Sequence, residues 1–95
     1  KACPDLLILD LSIPKISGIS VLKKIRQFYP QLKILVLTMH DSLEYYKACM
    51  ENGADAFVLK DEGGKKLKDV IQRVLTGEKY SSPGIDDQLN SSKLL

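Results

Sequence analysis

The sequence predicts an α/β fold built on a parallel sheet. Three short apolar runs lie at residues 6–9, 34–37 and 56–59, and helical patterns separate them. Apolar runs of this length are typical of strands that are buried on both faces, as strands are in parallel sheets. Right-handed crossovers between such strands bring all their carboxyl ends to one edge of the sheet. We therefore expect three strand-helix units, with their functional residues at that edge.

The first unit begins with the run at 6–9, which leads directly to Asp10. Pro14 follows closely and indicates a turn, so Asp10 lies where the strand leaves the core. Apolar residues then recur at helical spacing, at Ile19, Leu22 and Ile25. Because Pro30 disfavours helix in the residue before it, we expect a helix of about three turns that ends near Tyr29.

The second unit delivers Thr38 at the end of its apolar run. Asp41 can cap the helix that follows, with Glu44 three positions later in a capping-box arrangement. The Asn52-Gly53 pair is typical of a left-handed helix stop. We expect a helix between these two signals, with Cys49 packed in the core.

The third unit delivers Lys60 and then carries the clearest helical pattern of the chain. Its apolar positions are Leu67, Val70, Ile71, Val74 and Leu75. They follow the spacing of one buried helix face, and Gly77 ends the pattern. From Glu78 onward, polar and turn-forming residues predict a linker or tail. We place the domain at 1–82 and the linker or tail at 83–95.

Asp10, Thr38 and Lys60 should converge at the carboxyl edge of this sheet. A carboxylate there can attack a phosphoryl donor and form an acyl phosphate, with a lysine and a hydroxyl beside the phosphoryl oxygens. Such chemistry normally needs Mg²⁺, which takes one or two carboxylates together with phosphate oxygen and water. The sequence places one carboxylate directly at this edge, Asp10.

Composition narrows the class of protein. The chain has 95 residues and a formal net charge of +2, which is too small to argue for a nucleic-acid or membrane surface. No apolar run is long enough to span a bilayer or to form a secretory signal, and we expect a cytoplasmic protein. Cys3 and Cys49 lack the spacing of a zinc site, so we expect reduced thiols.

Three segments resemble the receiver domain of bacterial response regulators. They are Asp10-Leu-Ser-Ile-Pro14, Leu37-Thr38 and the stretch at 53–60. The resemblance runs from about residue 4 to about residue 82 and implies a flavodoxin-like, doubly wound sheet. It implies that Asp10 is phosphorylated, that Thr38 and Phe57 are the switch residues, and that Lys60 pairs with the phosphate. It also implies Mg²⁺ bound by Asp10 and the backbone carbonyl of Ser12.

Departures from the receiver pattern qualify this resemblance. A receiver begins with a strand that carries an acidic pair for Mg²⁺, followed by a helix and a second strand, and this sequence starts just ahead of the Asp10 strand. We therefore expect an N-terminally truncated receiver whose Asp10 strand is an exposed hydrophobic edge. Met39 replaces the small residue that usually follows the threonine, and Asp61 stands where many members have proline. His40 is interpreted as a solvent-facing loop residue that tunes the reactivity of the aspartyl phosphate.

The segment at 77–83 is similar to the LuxR/NarL-type subfamily, whose receivers precede a helix-turn-helix DNA-binding domain. The resemblance implies a phosphoacceptor module of a two-component system, phosphorylated on Asp10 by a sensor histidine kinase and regulating an output, transcription above all. It implies that the protein is not an enzyme, apart from limited self-phosphotransfer and autodephosphorylation. Partners would be the kinase, a second copy in a homodimer, and DNA only through an output domain not present here, with no membrane.

Two alternatives stay open from the sequence. One is a receiver-like interaction module that is never phosphorylated, which the absent acidic pair favours. The other is a haloacid-dehalogenase-like phosphatase, which also uses a strand-end aspartate as its nucleophile. That family has a second aspartate two positions after the first, as general acid, and this chain has Ser12 there.

Overall fold

The computed structural model describes residues 5–11, 15–63 and 66–85. Its elements in chain order are β1 (Leu6–Asp10), α1 (Lys15–Phe28), β2 (Lys33–Thr38), α2 (Leu43–Glu51), β3 (Ala56–Leu59), α3 (Lys60–Gly63), α4 (Leu67–Leu75) and β4 (Tyr80–Ser81). The strands form one sheet in the order β1-β2-β3-β4, and all three pairings are parallel. The predicted α/β fold with a parallel sheet is confirmed, and each of the three apolar runs forms a strand.

Two hydrophobic cores cover the faces of the sheet, because successive strand residues point to opposite sides. The first lies under α1 and α2 and includes Leu22, Ile34, Val36, Cys49 and Phe57. The second lies under α4 and includes Leu35, Ala56, Val58, Val70 and Val74. Burial on both faces explains why β2 and β3 are continuous apolar runs. The predicted packing of Cys49 in the core is confirmed, whereas Cys3 lies outside the described residues.

The fourth strand is an addition to the prediction, which placed Tyr80 and Ser81 within the domain boundary at residue 82 but assigned no strand to the polar residues from Glu78 onward. These residues pair in parallel with β3, and Ser82 continues the connection by accepting a hydrogen bond from the Leu59 N–H at 2.8 Å. Ile85 lies beyond the predicted boundary and is nevertheless fully buried. Residues 86–95 of the predicted tail lie outside the described residues, so the boundary itself stays a prediction.

The start of α2 corrects one predicted cap. Helix α2 begins at Leu43, and the side chain of Ser42, not that of Asp41, accepts a hydrogen bond from the Tyr45 N–H at 3.2 Å. A capping side chain must stand directly before the first helical residue, and Asp41 stands one position too early. At the other end, Gly53 has φ +108°, which confirms the predicted left-handed stop.

Helix α4 agrees with its predicted pattern, with one exception. Val70 and Val74 are buried, and Gly77 follows the helix with φ +100°, as a left-handed stop requires. Leu75, the last apolar position of the pattern, is 45% exposed. It lies at the end of the helix, beside a surface cleft that Phe28 and Tyr29 also line.

Strand β1 is an edge strand. In the described parts of the chain it pairs with β2 alone. Its residues Leu6, Leu7 and Leu9 are partly buried, and Ile8 is 40% exposed. The structure thus has the exposed hydrophobic edge that was expected at the Asp10 strand.

The opposite, amino-terminal end of the sheet is held by Arg26. Its guanidinium donates hydrogen bonds to the carbonyls of Tyr29, Pro30, Leu32 and Gly53, and forms an ion pair with Asp55 at 3.0 Å. Asp55 also accepts a hydrogen bond from the Ile34 N–H at 2.9 Å. A Cβ atom on Gly53 would lie 2.7 Å from the Arg26 Nε, so glycine is required there by space as well as by φ. This cluster ties α1, β2 and the turn before β3 together.

Candidate functional site

The carboxyl edge of the sheet brings the three predicted residues to adjacent strand ends. Asp10 ends β1 and pairs in register with Leu37, the residue before Thr38. Thr38 ends β2 and pairs with Leu59, the residue before Lys60. The expected convergence of Asp10, Thr38 and Lys60 follows directly from this register.

Asp10 and Lys60 are in direct contact. The Lys60 Nζ lies 2.8 Å from the Asp10 Oδ2, with 33% of the lysine side chain and 53% of the aspartate side chain exposed. An ion pair this exposed contributes only about 0–1 kcal/mol to folding. The exposure matters for chemistry, because an anionic group from solvent can reach the Asp10 carboxylate and can be bound there by the Lys60 ammonium.

Lys60 owes its position to the way β3 ends. The strand stops at Leu59, and Lys60 is the first residue of the short helix α3. The Leu59 N–H is held by the Ser82 hydroxyl in a buried hydrogen bond. The lysine therefore projects from a backbone whose preceding residue is fixed by the core.

Thr38 is fully buried, and its hydroxyl is engaged on both sides. The Oγ1 donates to the Leu11 carbonyl at 3.0 Å and accepts from the His40 N–H at 3.0 Å. Leu11 directly follows Asp10, and its own N–H donates to the Leu37 carbonyl at 2.8 Å. Thr38 thus connects the segment after Asp10 with the loop that leads into α2. The sequence pointed to Thr38 but not to the Leu11 carbonyl, because backbone partners leave no signal in residue type.

Phe57, the predicted aromatic switch residue, is fully buried. Its ring lies edge-on to Tyr45 at 6.1 Å and to Tyr46 at 5.4 Å between centroids. Both are favourable aromatic geometries. Phe57 occupies an interior position in this structure, and its role in switching stays a prediction.

The loop after Thr38 differs in part from the prediction. His40 was interpreted as solvent-facing, yet it is half-buried and its ring lies edge-on to Tyr45 at 5.2 Å. The contact with the Tyr45 ring, which covers part of His40, explains the difference. Met39 is 66% exposed. The tuning role of His40 stays a prediction.

Tyr45 is a further buried residue beside this site. It is 4% exposed, and burial, followed by its interaction with the Cys49 thiol, raises the pKa of Tyr45 to about 12. Burial also raises the pKa of Cys49 to about 11, against the lowering effect of its hydrogen bond with Tyr45. Both groups are protonated at neutral pH, which excludes them as ionised nucleophiles there.

The described residues do not by themselves form a metal site. Among them, no group of three or more His, Cys, Asp or Glu side chains is placed to hold a metal ion. Asp10 supplies one carboxylate at the edge, and Ser12, whose carbonyl was the second expected donor, lies outside the described residues. In the same part of the chain, no helix has the length and apolar character to cross a membrane.

Comparison with protein families gives one match that covers most of the chain. The model of the response regulator receiver domain matches residues 1–72. The transcriptional regulatory protein MctR of Rhizobium johnstonii is 33% identical over 91 residues, 96% of this chain and 42% of MctR. The oxygen regulatory protein NreC of Staphylococcus carnosus is 38% identical over 87 residues, 90% of this chain and 40% of NreC. The chain thus spans about two fifths of the length of these relatives.

Solved structures give the same result. A LuxR-family two-component response regulator from Aurantimonas sp. superposes with a TM-score of 0.86 and 29% identity, over 97% of this chain and 66% of that one. The isolated REC domain of RcsB from Salmonella enterica serovar Typhimurium, in its apo form, has a TM-score of 0.80 and 27% identity, over 94% of this chain and 65% of that one. The parallel sheet with its helices matches the flavodoxin-like fold of these structures.

Proposed function

The chain belongs to the response-regulator receiver family and covers part of a receiver domain, and we propose that Asp10 is its phosphoacceptor. Its relatives are LuxR-type regulators of two-component signalling and transcription. In this proposal a sensor histidine kinase donates the phosphoryl group. The product is a signal for an output domain, with no turnover of a separate substrate.

The observation that carries the proposal is the contact between Asp10 and Lys60 at 2.8 Å. One Asp10 carboxylate oxygen attacks phosphorus, the bond from phosphorus to the phosphohistidine nitrogen breaks, and the nitrogen keeps the electron pair. The Lys60 ammonium, already beside the carboxylate, then lies against the new phosphoryl oxygens. A cation in this place stabilises charge in the transition state and in the acyl phosphate.

Receiver domains generally bind Mg²⁺ at the phosphorylation site, where the ion neutralises phosphoryl oxygens. Asp10 is suited to give one oxygen ligand, and the Ser12 carbonyl is the second donor expected from the sequence. These two donors alone do not make a complete site. We therefore assign no step of the reaction to the metal and derive the steps from Asp10, Lys60 and Thr38.

Thr38 is the proposed switch residue. Its single O–H proton is now donated to the Leu11 carbonyl. To bond a phosphoryl oxygen on Asp10, the hydroxyl must leave that carbonyl, which exchanges a neutral hydrogen bond for a stronger charge-assisted one. The exchange favours a second arrangement of the loop and helices around Thr38 and Phe57 when Asp10 is phosphorylated.

Family membership supports the partners that the sequence predicted. One of the similar structures contains two RcsB dimers bound to two parallel DNAs. By analogy, we propose for this chain a homodimer in the activated state, DNA binding through a separate output domain, and a cytoplasmic location. Limited autodephosphorylation and self-phosphotransfer are the only catalytic activities in this proposal.

One observation favours a second candidate, a receiver-like interaction module that is not phosphorylated. Among the described residues, no group of three or more His, Cys, Asp or Glu side chains is placed to hold a metal ion, so metal-assisted phosphoryl transfer at Asp10 needs ligands from outside them. The phosphatase alternative has no such support, since it requires a second aspartate where the sequence has Ser12.

The test is intact-mass analysis after treatment with a small phosphodonor and Mg²⁺, on a protein that carries this chain together with the acidic pair of a receiver. We expect addition of one phosphoryl group in the wild type and in an Asp41→Asn control, and none in Asp10→Asn. Asp41 is an exposed carboxylate that follows Thr38 by three positions. The control therefore shows whether phosphorylation depends on Asp10 itself or on any exposed carboxylate near this edge. Undiminished addition of the phosphoryl group to Asp10→Asn would exclude Asp10 as the phosphorylation site. Absence of addition to the wild type would support the interaction module that is not phosphorylated.

A further inference from the structure

Tyr45 joins the first turn of α2 to the loop that leaves Thr38. Its ring lies edge-on to His40 at 5.2 Å and to Phe57 at 6.1 Å. Its backbone N–H donates to the Ser42 side chain at 3.2 Å, the bond that caps α2. A displacement of this ring therefore acts directly on the start of the helix.

The Tyr45 hydroxyl also reaches α1 and the segment after Asp10. A Cβ atom on Gly18 would lie 2.6 Å from the Tyr45 Oη and 3.4 Å from the Leu11 Cδ1. Contact at 2.6 Å is too close for any real methyl group. The absence of a side chain at Gly18 thus leaves room for the Tyr45 oxygen, and Leu11 packs at the same place.

Thr38 contacts the same neighbours from the strand side. Its hydroxyl bonds the Leu11 carbonyl and the His40 N–H, each at 3.0 Å. Thr38 and Tyr45 therefore both meet His40, and both meet the region where Leu11 packs. A movement of the Thr38 oxygen would disturb the hydrogen bond that it accepts from the His40 N–H, and His40 is the residue whose ring contacts Tyr45.

We propose that Tyr45 is a positioning residue that transmits the hydrogen-bonding state of Thr38 to helix α2. Phe57 is fully buried and contacts Tyr45 from the core side. Tyr45 has the required contacts on both sides, with the Thr38 loop and with the cap of α2. The proposal rests on the proposed function only in that phosphorylation of Asp10 is what moves Thr38.

Tyr46 provides a matched control. It is the next residue of α2, and its ring makes the same edge-on contact with Phe57, at 5.4 Å. The contact with His40 and the position beside Gly18 belong to Tyr45. If general core packing carried the coupling, Tyr46 would couple to Thr38 as strongly as Tyr45 does.

The experiment is a pair of double-mutant cycles on the full chain, without phosphodonor, read by hydrogen exchange of the first-turn amides of α2. The first cycle combines Thr38→Val with Tyr45→Leu, and the control cycle combines Thr38→Val with Tyr46→Leu. We expect the local opening constants to be non-additive by at least about threefold in the first cycle and additive within about twofold in the control. Additivity in the first cycle, or equal coupling in both, overturns the proposal.

A second, milder pair of variants tests the hydroxyl contact itself. Gly18→Ala places a methyl group against the Tyr45 Oη and should increase opening of the first turn of α2. Tyr45→Phe removes that oxygen and keeps the ring, so the effect of Gly18→Ala should fall at least about threefold in this background. An equal effect in both backgrounds contradicts the positioning role. Neither experiment uses phosphorylated protein. Their results would therefore remain valid even if Asp10 proved not to be the phosphoacceptor.

Discussion

Asp10, Thr38 and Lys60 could be located from the sequence because each directly follows an apolar run. In a parallel sheet that position is enough to predict a shared edge. What the sequence did not predict is how Thr38 is held, since its partners are the Leu11 carbonyl and the His40 N–H. The half-buried state of His40 was missed for a similar reason, because it depends on a contact with Tyr45 that only the folded chain creates.

The buried pair Tyr45 and Cys49 predicts a loss of stability at alkaline pH. Burial raises the pKa of Cys49 from 9.0 to about 11 and that of Tyr45 from 10.0 to about 12. The unfolded chain therefore releases these protons first as the pH rises. The stabilisation is complete below pH 9 and is lost progressively between about pH 9 and pH 12.

Urea unfolding between pH 8 and pH 11 measures this effect. Above pH 9, the free energy of unfolding should fall less steeply in Cys49→Ala than in the wild type. At the alkaline end, the total fall should be smaller by an amount on the order of 2 kcal/mol. The comparison is made between slopes, since the variant also loses packing at every pH. Identical pH slopes in the wild type and the variant would show that Cys49 ionises equally easily in both states.

At the level of elements, helical periodicity and apolar runs were sufficient to predict three strands and three helices. The exact ends of these elements, and the short elements, could not be predicted in this way. Asp41 and Ser42 are both good capping residues, and only the observed start of α2 at Leu43 selects Ser42. Strand β4 has two residues and no apolar run, so its pattern resembles a loop. It forms because β3 offers an edge and because Ser82 bonds to the backbone of Phe57 and Leu59.

The Arg26 cluster holds several elements at once, and its loss should be costly. Arg26→Ala should lower the free energy of unfolding by about 2–4 kcal/mol, because Asp55, 14% exposed, would keep its charge and lose its main partner. The matched control is Arg73→Ala, which removes a surface pair with Asp69 in which both side chains are more than half exposed. That change should cost no more than about 0.5 kcal/mol. Equal losses in the two variants, measured by urea unfolding, would rule out a structural role for the cluster.

At the level of the whole molecule, the sheet order of the described residues places β1 at an edge, where the side chain of Ile8 is exposed. Such an edge is a template for pairing with another strand. We predict that the chain of residues 1–95 self-associates through β1, and that Ile8→Lys weakens this association. Val21→Lys, on the exposed side of α1, is the control that adds the same charge elsewhere.

Sedimentation velocity and thermal unfolding are the measurements for the β1 edge. We expect a concentration-dependent increase in the mean mass of the wild type and of Val21→Lys, with a smaller increase for Ile8→Lys. A wild-type sample that stays monomeric and unfolds in one sharp cooperative transition would contradict the prediction.

Reductive trapping shows whether Asp10, beside Lys60, carries the phosphoryl group. Borohydride converts an aspartyl phosphate to homoserine, which peptide mass spectrometry locates by position. After treatment of the protein with phosphodonor and Mg²⁺, we expect homoserine at position 10, with Asp5, Asp41 and Asp61 unchanged. Homoserine at one of those other positions, or a phosphoryl group that adds to the intact protein without any homoserine at position 10, would contradict it.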